Sequence, residues 1–210
     1  MEARSPTRWR RRKEARPDEI LAAALASFAE RGFAATRLED VAARAGVSKG
    51  TLYLYFNGKE QLFEAVVRAR LLPNLERLEA LLATFEGPSA SLLERLLLTM
   101  AEVVGSQLGA IPKLVIAEAG NFPELARFYL EEVVRRGLRL IGAILRRGIE
   151  RGEFRAVDVD HVVYCVIAPM LIAALWKNSL EPYDERTLDA QALARAHLDL
   201  LLRGLEAPGR

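Results

Sequence analysis

Apolar residues recur at helical rather than strand spacing along nearly the whole chain. Ile20, Leu21, Ala24, Leu25 and Phe28 form one stripe; Leu92, Leu93, Leu96, Leu97, Met100, Val103 and Val104 form another. No run of alternating apolar and polar residues rich in Val, Ile and Thr lies between paired turn signals, so the pattern predicts an all-α fold. Punctuation residues then divide it. A first helix starts near Pro17–Asp18, where Asp18 and Glu19 complement the dipole, and stops at Gly32. Thr36-Arg-Leu-Glu39 reads as a capping box before a short helix ending at Gly46, and Ser48 caps a second short helix that runs out at Asn57-Gly58. A long helix follows from Lys59, interrupted near Pro73, and fades before Glu86-Gly-Pro. Ser91 with Glu94 offers another capping box, for a helix ending between Gly105 and Gly109. Further helices are predicted over 112–119, 123–151, 159–177 and 185–204, making about nine in all.

Residues 36–56, TRLEDVAARAGVSKGTLYLYF, place two short helices around a tight turn. Val41, Ala42 and Ala45 of the first are spaced to pack on Leu52 and Phe56 of the second. Gly46 supplies the left-handed backbone that a sharp stop requires, and Val47 plugs the corner. The pattern is that of a helix-turn-helix, whose second helix lies in the major groove of DNA. Lys49, Gly50, Thr51, Tyr53, Leu54 and Tyr55 are its outward residues: a cation, a hydroxyl, a glycine permitting close approach, and side chains that reach phosphates or thymine methyls. Ser48 leaves N–H groups at the helix start for an anion, and Lys59, opening the next helix, is placed to meet a phosphate.

Charge distribution supports a polyanion partner. The chain of 210 residues has a net charge of only +2, yet residues 1–60 carry 12 Lys and Arg against 8 Asp and Glu. Residues 1–16 alone hold seven basic side chains and two acidic ones, and read as a basic flexible arm: either one that follows the phosphate backbone or enters the minor groove, or a solvated tail that aids solubility. The predicted division is thus an arm over 1–16, a DNA-binding domain over 17–58 and a larger helical domain over 59–210. The 51% hydrophobic content excludes general disorder, and a single cysteine, Cys165, excludes a disulfide framework. No apolar segment follows the N-terminal charges as in a signal peptide. The longest apolar run, Val162 to Trp176, is 15 residues with Pro169 inside it, short of the ~20 a bilayer needs. A cytoplasmic protein without membrane contact is expected.

Residues 17–67, through "ILAAALASFAERGFAATRLEDVAARAGVSKGTLYLYF" and "KEQLFEAV", closely resemble the N-terminal domain of the TetR (tetracycline-repressor-like) transcriptional regulators. Residues 111–155, around KLVIAEAGNFPELARFYLEEV, are similar to one C-terminal branch of that family. Gly58 departs from the Ser or Asn usual before the Lys-Glu pair, though glycine is an acceptable cap. The resemblance implies phosphate contacts from Thr36 and Arg37, with Arg37 reaching toward a base. It also implies groove contacts from Lys49, Thr51, Tyr53, Leu54 and Tyr55, and a backbone contact from Lys59. It implies a two-fold dimer on a palindromic operator, released by a small-molecule effector.

The helix over 159–177 is apolar on nearly all sides, which demands burial on all sides. With 185–204, where Leu193, His197, Leu200 and Leu201 share a face, it is expected to form half of a four-helix bundle across a homodimer axis. An effector cavity is expected among the middle helices, with Phe85, Met100, Phe122, Phe128, Tyr129, Tyr164 and Trp176 as candidate lining for an apolar or aromatic ligand. A competing reading keeps the DNA-binding fold but has the larger domain recruit a protein partner, with no effector. A sealed apolar cavity favours the first reading, a solid core with an exposed apolar patch the second. His161, Asp158 and Asp160 lack the further ligands of a metal site. Neither a phosphate loop after a strand nor a nucleophile elbow occurs, so no enzyme, metal or cofactor is expected.

Overall fold

The structure is a computed structural model that describes the backbone of residues 7–206 and the side chains of residues 17–206. The side chains of the basic arm lie outside the described residues. Among those described there is no strand; an isolated antiparallel bridge joins Phe154 and Glu206. The chain divides into two compact units, Met1–Ala69 and Arg70–Arg210.

The smaller unit contains α1 (Thr7–Ala35), α2 (Leu38–Arg44), α3 (Lys49–Tyr53) and α4 (Lys59–Val66). Helix α1 begins ten residues before the expected start at Pro17: residues 7–16 hold no glycine and are rich in good helix formers, and Pro17 lies inside the helix. Its regular part breaks at Gly32, whose φ of 78° lies in the left-handed region. The stripe predicted on α1 is buried, and Phe28 stacks on Phe33 at 5.5 Å between ring centroids. Phe63 of α4 meets the edges of both rings at 5.9 and 6.0 Å. That contact assigns α4 to the smaller unit. The larger unit accordingly begins at Arg70, whereas the sequence places the boundary at 58/59.

A π-turn, Val67–Leu71, follows α4, and the larger unit continues as α5 (Leu72–Thr84), α6 (Ser89–Gly105) and α7 (Ala110–Glu118). Next come α8 (Pro123–Tyr129), a second π-turn (Leu130–Val134), α9 (Arg135–Glu150), α10 (Val159–Ser179) and α11 (Ala190–Leu205). The first π-turn falls just before Pro73, where the sequence predicts an interruption, and the second splits a helix, 123–151, that the pattern reads as continuous. Leu92, Leu93, Leu96 and Leu97 of α6 are buried against Ile141, Ile144 and Leu145 of α9 and Val166, Met170 and Ala173 of α10. The capping box expected at Ser91 is not formed. Helix α6 opens at Ser89, whose N–H donates to the Glu153 carboxylate at 2.6 Å, a cap supplied from 64 residues away. Arg147 of α9 closes the same corner by donating to Ser89 Oγ and to the carbonyls of Phe85 and Gly87. Helix α11 starts at Ala190, later than the predicted 185, because Asp189 accepts from the N–H groups of Gln191 and Ala192.

Candidate nucleic-acid interface

The turn between α2 and α3 is built from local chemistry. Gly46 takes φ 66°, its N–H donates to the Ala43 carbonyl, and the Val47 N–H donates to Ala42. Those two bonds satisfy the last carbonyls of α2 and stop it sharply. Ser48 then takes an extended conformation and its hydroxyl accepts from the Thr51 N–H at 3.1 Å, capping α3. Such a cap is worth about 1 kcal/mol. Val41, Ala42, Leu52 and Phe56 are buried beneath the turn, as their spacing predicts.

The opposite face of α3 is open. Tyr53 is 42% exposed, Leu54 84% and Tyr55 40%, with Lys49 and Gly50 also exposed and Thr51 half-buried. Leu54 stands between two exposed tyrosines, so the three together form an apolar and aromatic edge at the end of α3. The Thr51 hydroxyl lies 2.8 Å from that of Ser48, so both are held by the cap. Arg37 is exposed and makes no side-chain bond among the described residues. The other cations of α1–α3 with described partners are paired: Arg31 with Asp40, Arg44 with Glu30, and Lys49 with Glu39 at 2.5 Å. Hydrogen bonding to Lys49 holds the Glu39 carboxyl below its ordinary pKa, and Glu30 is lowered in the same way by Arg44. Glu39 is the surface residue that the sequence reading missed, having taken it for half of a capping box; only the tertiary distance to Lys49 reveals it.

Two expected contacts are corrected. Thr36, expected to meet phosphate, is 2% exposed; its hydroxyl donates to the Gly32 carbonyl at 2.6 Å and lies 3.2 Å from the Ser27 carbonyl. Helix α2 opens instead at Arg37, with no side-chain cap, so the predicted capping box is absent. Thr36 is a clamp on the end of α1, where carbonyls have no helical partner. Lys59 plays the same part from α4. Its ammonium donates to the carbonyls of Phe33 at 2.9 Å and Ala34 at 2.8 Å, and lies 4.8 Å from the Phe33 ring centroid. A cation there also complements the negative end of the α1 dipole.

The seven residues expected to line an effector cavity divide into three groups. Phe85 and Met100 pack against the core of the larger unit, and Arg147 also sits over the Phe85 ring. Tyr164 and Trp176 are 58% and 38% exposed on the outer side of α10. Phe122, Phe128 and Tyr129 remain, half-buried along α8. The Tyr129 phenol is pushed well above its ordinary pKa by burial, and its hydroxyl has no hydrogen-bond partner among the described residues. A groove of about 240 Å³ lies elsewhere, between α10 and α11, bordered by Val162, Cys165, His197, Leu200 and Leu201. His197 bonds within its own chain, donating to the Val166 carbonyl at 3.1 Å. Among the described residues no group of three or more His, Cys, Asp and Glu could hold a metal, and His161 pairs with Asp158 at 2.7 Å.

Helix α10, at 21 residues and a mean hydropathy of 1.8, is long and apolar enough to cross a bilayer. Val163, Val166, Met170, Ala173 and Ala174 bury one side of it in the core. Tyr164, Ile172 and Trp176 leave its other side apolar and exposed, as are Leu180 just beyond its end and Leu200 of α11.

Comparison with known proteins matches residues 20–66 to the family described as "Bacterial regulatory proteins, tetR family". Residues 86–196 match "Tetracyclin repressor-like, C-terminal domain". The HTH-type transcriptional repressor KstR2 of Mycobacterium tuberculosis is 30% identical over 198 residues, spanning 92% of this chain and 94% of that one. The solved structure of that ketosteroid transcriptional regulator superposes with a TM-score of 0.69 at 28% identity, covering 91% of this chain and 95% of the other. The structure of FadR from Bacillus subtilis in complex with stearoyl-CoA gives a TM-score of 0.75 at 23% identity, over 90% and 99% of the two chains, a likeness of fold.

Proposed function

Because the chain belongs to the TetR family of bacterial regulatory proteins, we propose that it is a dimeric, cytoplasmic transcriptional repressor that reads a palindromic operator through α3 and is released by a small apolar effector. The observation that carries the reading is the open face of α3, where Tyr53, Leu54 and Tyr55 stand clear of a core that buries Leu52 and Phe56. Lys49, Gly50 and Thr51 share that surface, Ser48 fixes its start, and Arg37 supplies an unpaired cation beside it. One short helix reads only a few base pairs, so useful specificity comes from two half-sites. The uncovered apolar side of α10, continued by Leu200 of α11, supports pairing of two chains through these helices. Burial of that side on a second copy removes a contiguous apolar patch from water.

The effector site falls to the larger unit. Phe122, Phe128 and Tyr129 support a ligand with an apolar body, and the unpartnered Tyr129 hydroxyl supports a hydrogen-bond acceptor on it. An acyl thioester of the kind bound by FadR and a ketosteroid both have that chemistry. The effector acts by favouring a dimer arrangement whose two α3 helices miss successive major grooves, ~34 Å apart on B-DNA. The test is to titrate stearoyl-CoA and a ketosteroid into a complex of the protein with a duplex selected from a random pool. One of them is expected to release the duplex while size exclusion still shows a dimer. Release accompanied by monomers contradicts the mechanism.

A further inference from the structure

The pair between Lys49 and Glu39 is unusual for its place. Glu39 stands in the first turn of α2 and Lys49 opens α3, so each is anchored on a short helix and the two meet at 2.5 Å. Both side chains remain open to solvent, 61% for Lys49 and 49% for Glu39. The ammonium is held from a second side by the Tyr53 ring, 5.6 Å to its centroid. Within 36–56, Lys49 is the cation on the open face of α3, and it is neutralised by a carboxylate before any duplex arrives. A carboxylate only accepts hydrogen bonds and repels phosphate, so it is the wrong group for a surface built simply to attract a polyanion.

We infer that Glu39 is a selectivity residue of this surface: by holding Lys49 it keeps that ammonium off phosphates, so that arbitrary sequence is bound weakly and the groups of α3 decide where the protein stays. The inference rests on the reading of α3 as a groove-binding helix. A lysine that neutralises one phosphate adds about 0.9 to the slope of log affinity against log salt, whatever the sequence. By the same account one contact makes affinity fall about threefold further between 50 and 200 mM salt. A complex on arbitrary sequence, held only through phosphates, loses that contact in full, whereas an operator whose base contacts fix the approach of α3 loses less by it; the ratio between them therefore rises. An exposed ion pair contributes little to folding, so its removal leaves the surface intact.

The test uses the full chain as wild type, Glu39→Gln, Lys49→Ala and the double variant. Fluorescence anisotropy measures each against a mixed-sequence duplex and a duplex selected from a random pool, across a salt series. Glu39→Gln is expected to bind the mixed-sequence duplex more tightly, with a gain about threefold larger at 50 than at 200 mM salt, and so to steepen its salt slope by about 0.9. The selected-to-mixed ratio falls, and none of these changes occurs in the Lys49→Ala background. An unchanged slope, the same gain without Lys49, or weakened binding of the selected duplex alone overturns the inference. A wild-type protein with no salt-dependent affinity for either duplex defeats the groove-binding reading itself, and this inference with it. Wild-type binding with an inert Glu39→Gln defeats the inference alone.

Discussion

Lys59 separates two accounts of the same side chain. As a phosphate contact it contributes to binding; as a latch from α4 onto the end of α1 it contributes to stability. The geometry supports the latch, with two ammonium–carbonyl bonds of 2.9 and 2.8 Å and the Phe33 ring beneath the charge. Bonds to a charged group contribute roughly 1.5–3 kcal/mol each when buried. Lys59 is only half-buried and the two carbonyls regain water once it is gone, so the pair together is worth about 2 kcal/mol. Lys59→Met keeps the aliphatic stem and removes the donors. The readout is native-state hydrogen exchange, which reports local opening rather than the unfolding of the whole chain. The Thr36 amide, bonded to the Phe33 carbonyl, and the first bonded amide of α4, from Leu62 to Gly58, are the reporters. At 1.4 kcal/mol per factor of ten, a loss of about 2 kcal/mol accelerates both by about thirtyfold. The salt slope of duplex binding stays unchanged. Unaltered exchange together with a slope shallower by about 0.9 refutes the latch and restores the phosphate contact.

Thr36→Val removes the hydroxyl that donates to the part-buried Gly32 carbonyl, and costs about 1–3 kcal/mol in a urea titration while the folded fraction binds duplex normally. Gly148→Ala drives a methyl group into the Phe154 ring, which is buried, so thermal melting reports a loss of about 1–3 kcal/mol. Glu153 gives a pH signature. Burial pushes its carboxyl up, but bonds from Ser89 and Arg151 outweigh that and leave its pKa below the ordinary 4.5. Its contribution is therefore fully present above pH 4.5 and lost as acid takes the pH through the lower native value. The urea midpoints of wild type and Glu153→Gln differ above that pH and converge below it; a gap that persists on acidification contradicts the linkage.

What the sequence made legible follows the range of the interaction. Gly46, Val47 and Ser48 act on residues within five positions, and each was readable from its neighbours. The buried stripe of α1 and the outward Tyr53, Leu54 and Tyr55 were readable from helical period alone. Thr36 and Lys59 were not: Thr36 turns its hydroxyl back onto Gly32 instead of forward onto α2, and the carbonyl partners of Lys59 lie 25 and 26 residues away. A threonine before a helix has the same local signature whether it caps that helix or clamps another. Ser91 failed for the same reason, since Glu153 caps α6 from outside any local window. On α10, period separates two faces but does not say which meets an effector and which a second chain. That is why Tyr164 and Trp176 were grouped with Phe85 and Met100, although the first pair faces outward and the second packs inside.

Two copies of this chain, each presenting α3 to one half of a symmetric site, are the core of the account. The most direct measurement is selection of bound fragments from a random duplex pool, followed by the mass of the complex on the enriched sequence. The account predicts an inverted repeat whose half-sites fall on one face of the helix, held by two chains, with enrichment lost in Leu54→Ala. An asymmetric site held by one chain, or no enrichment at all, contradicts it.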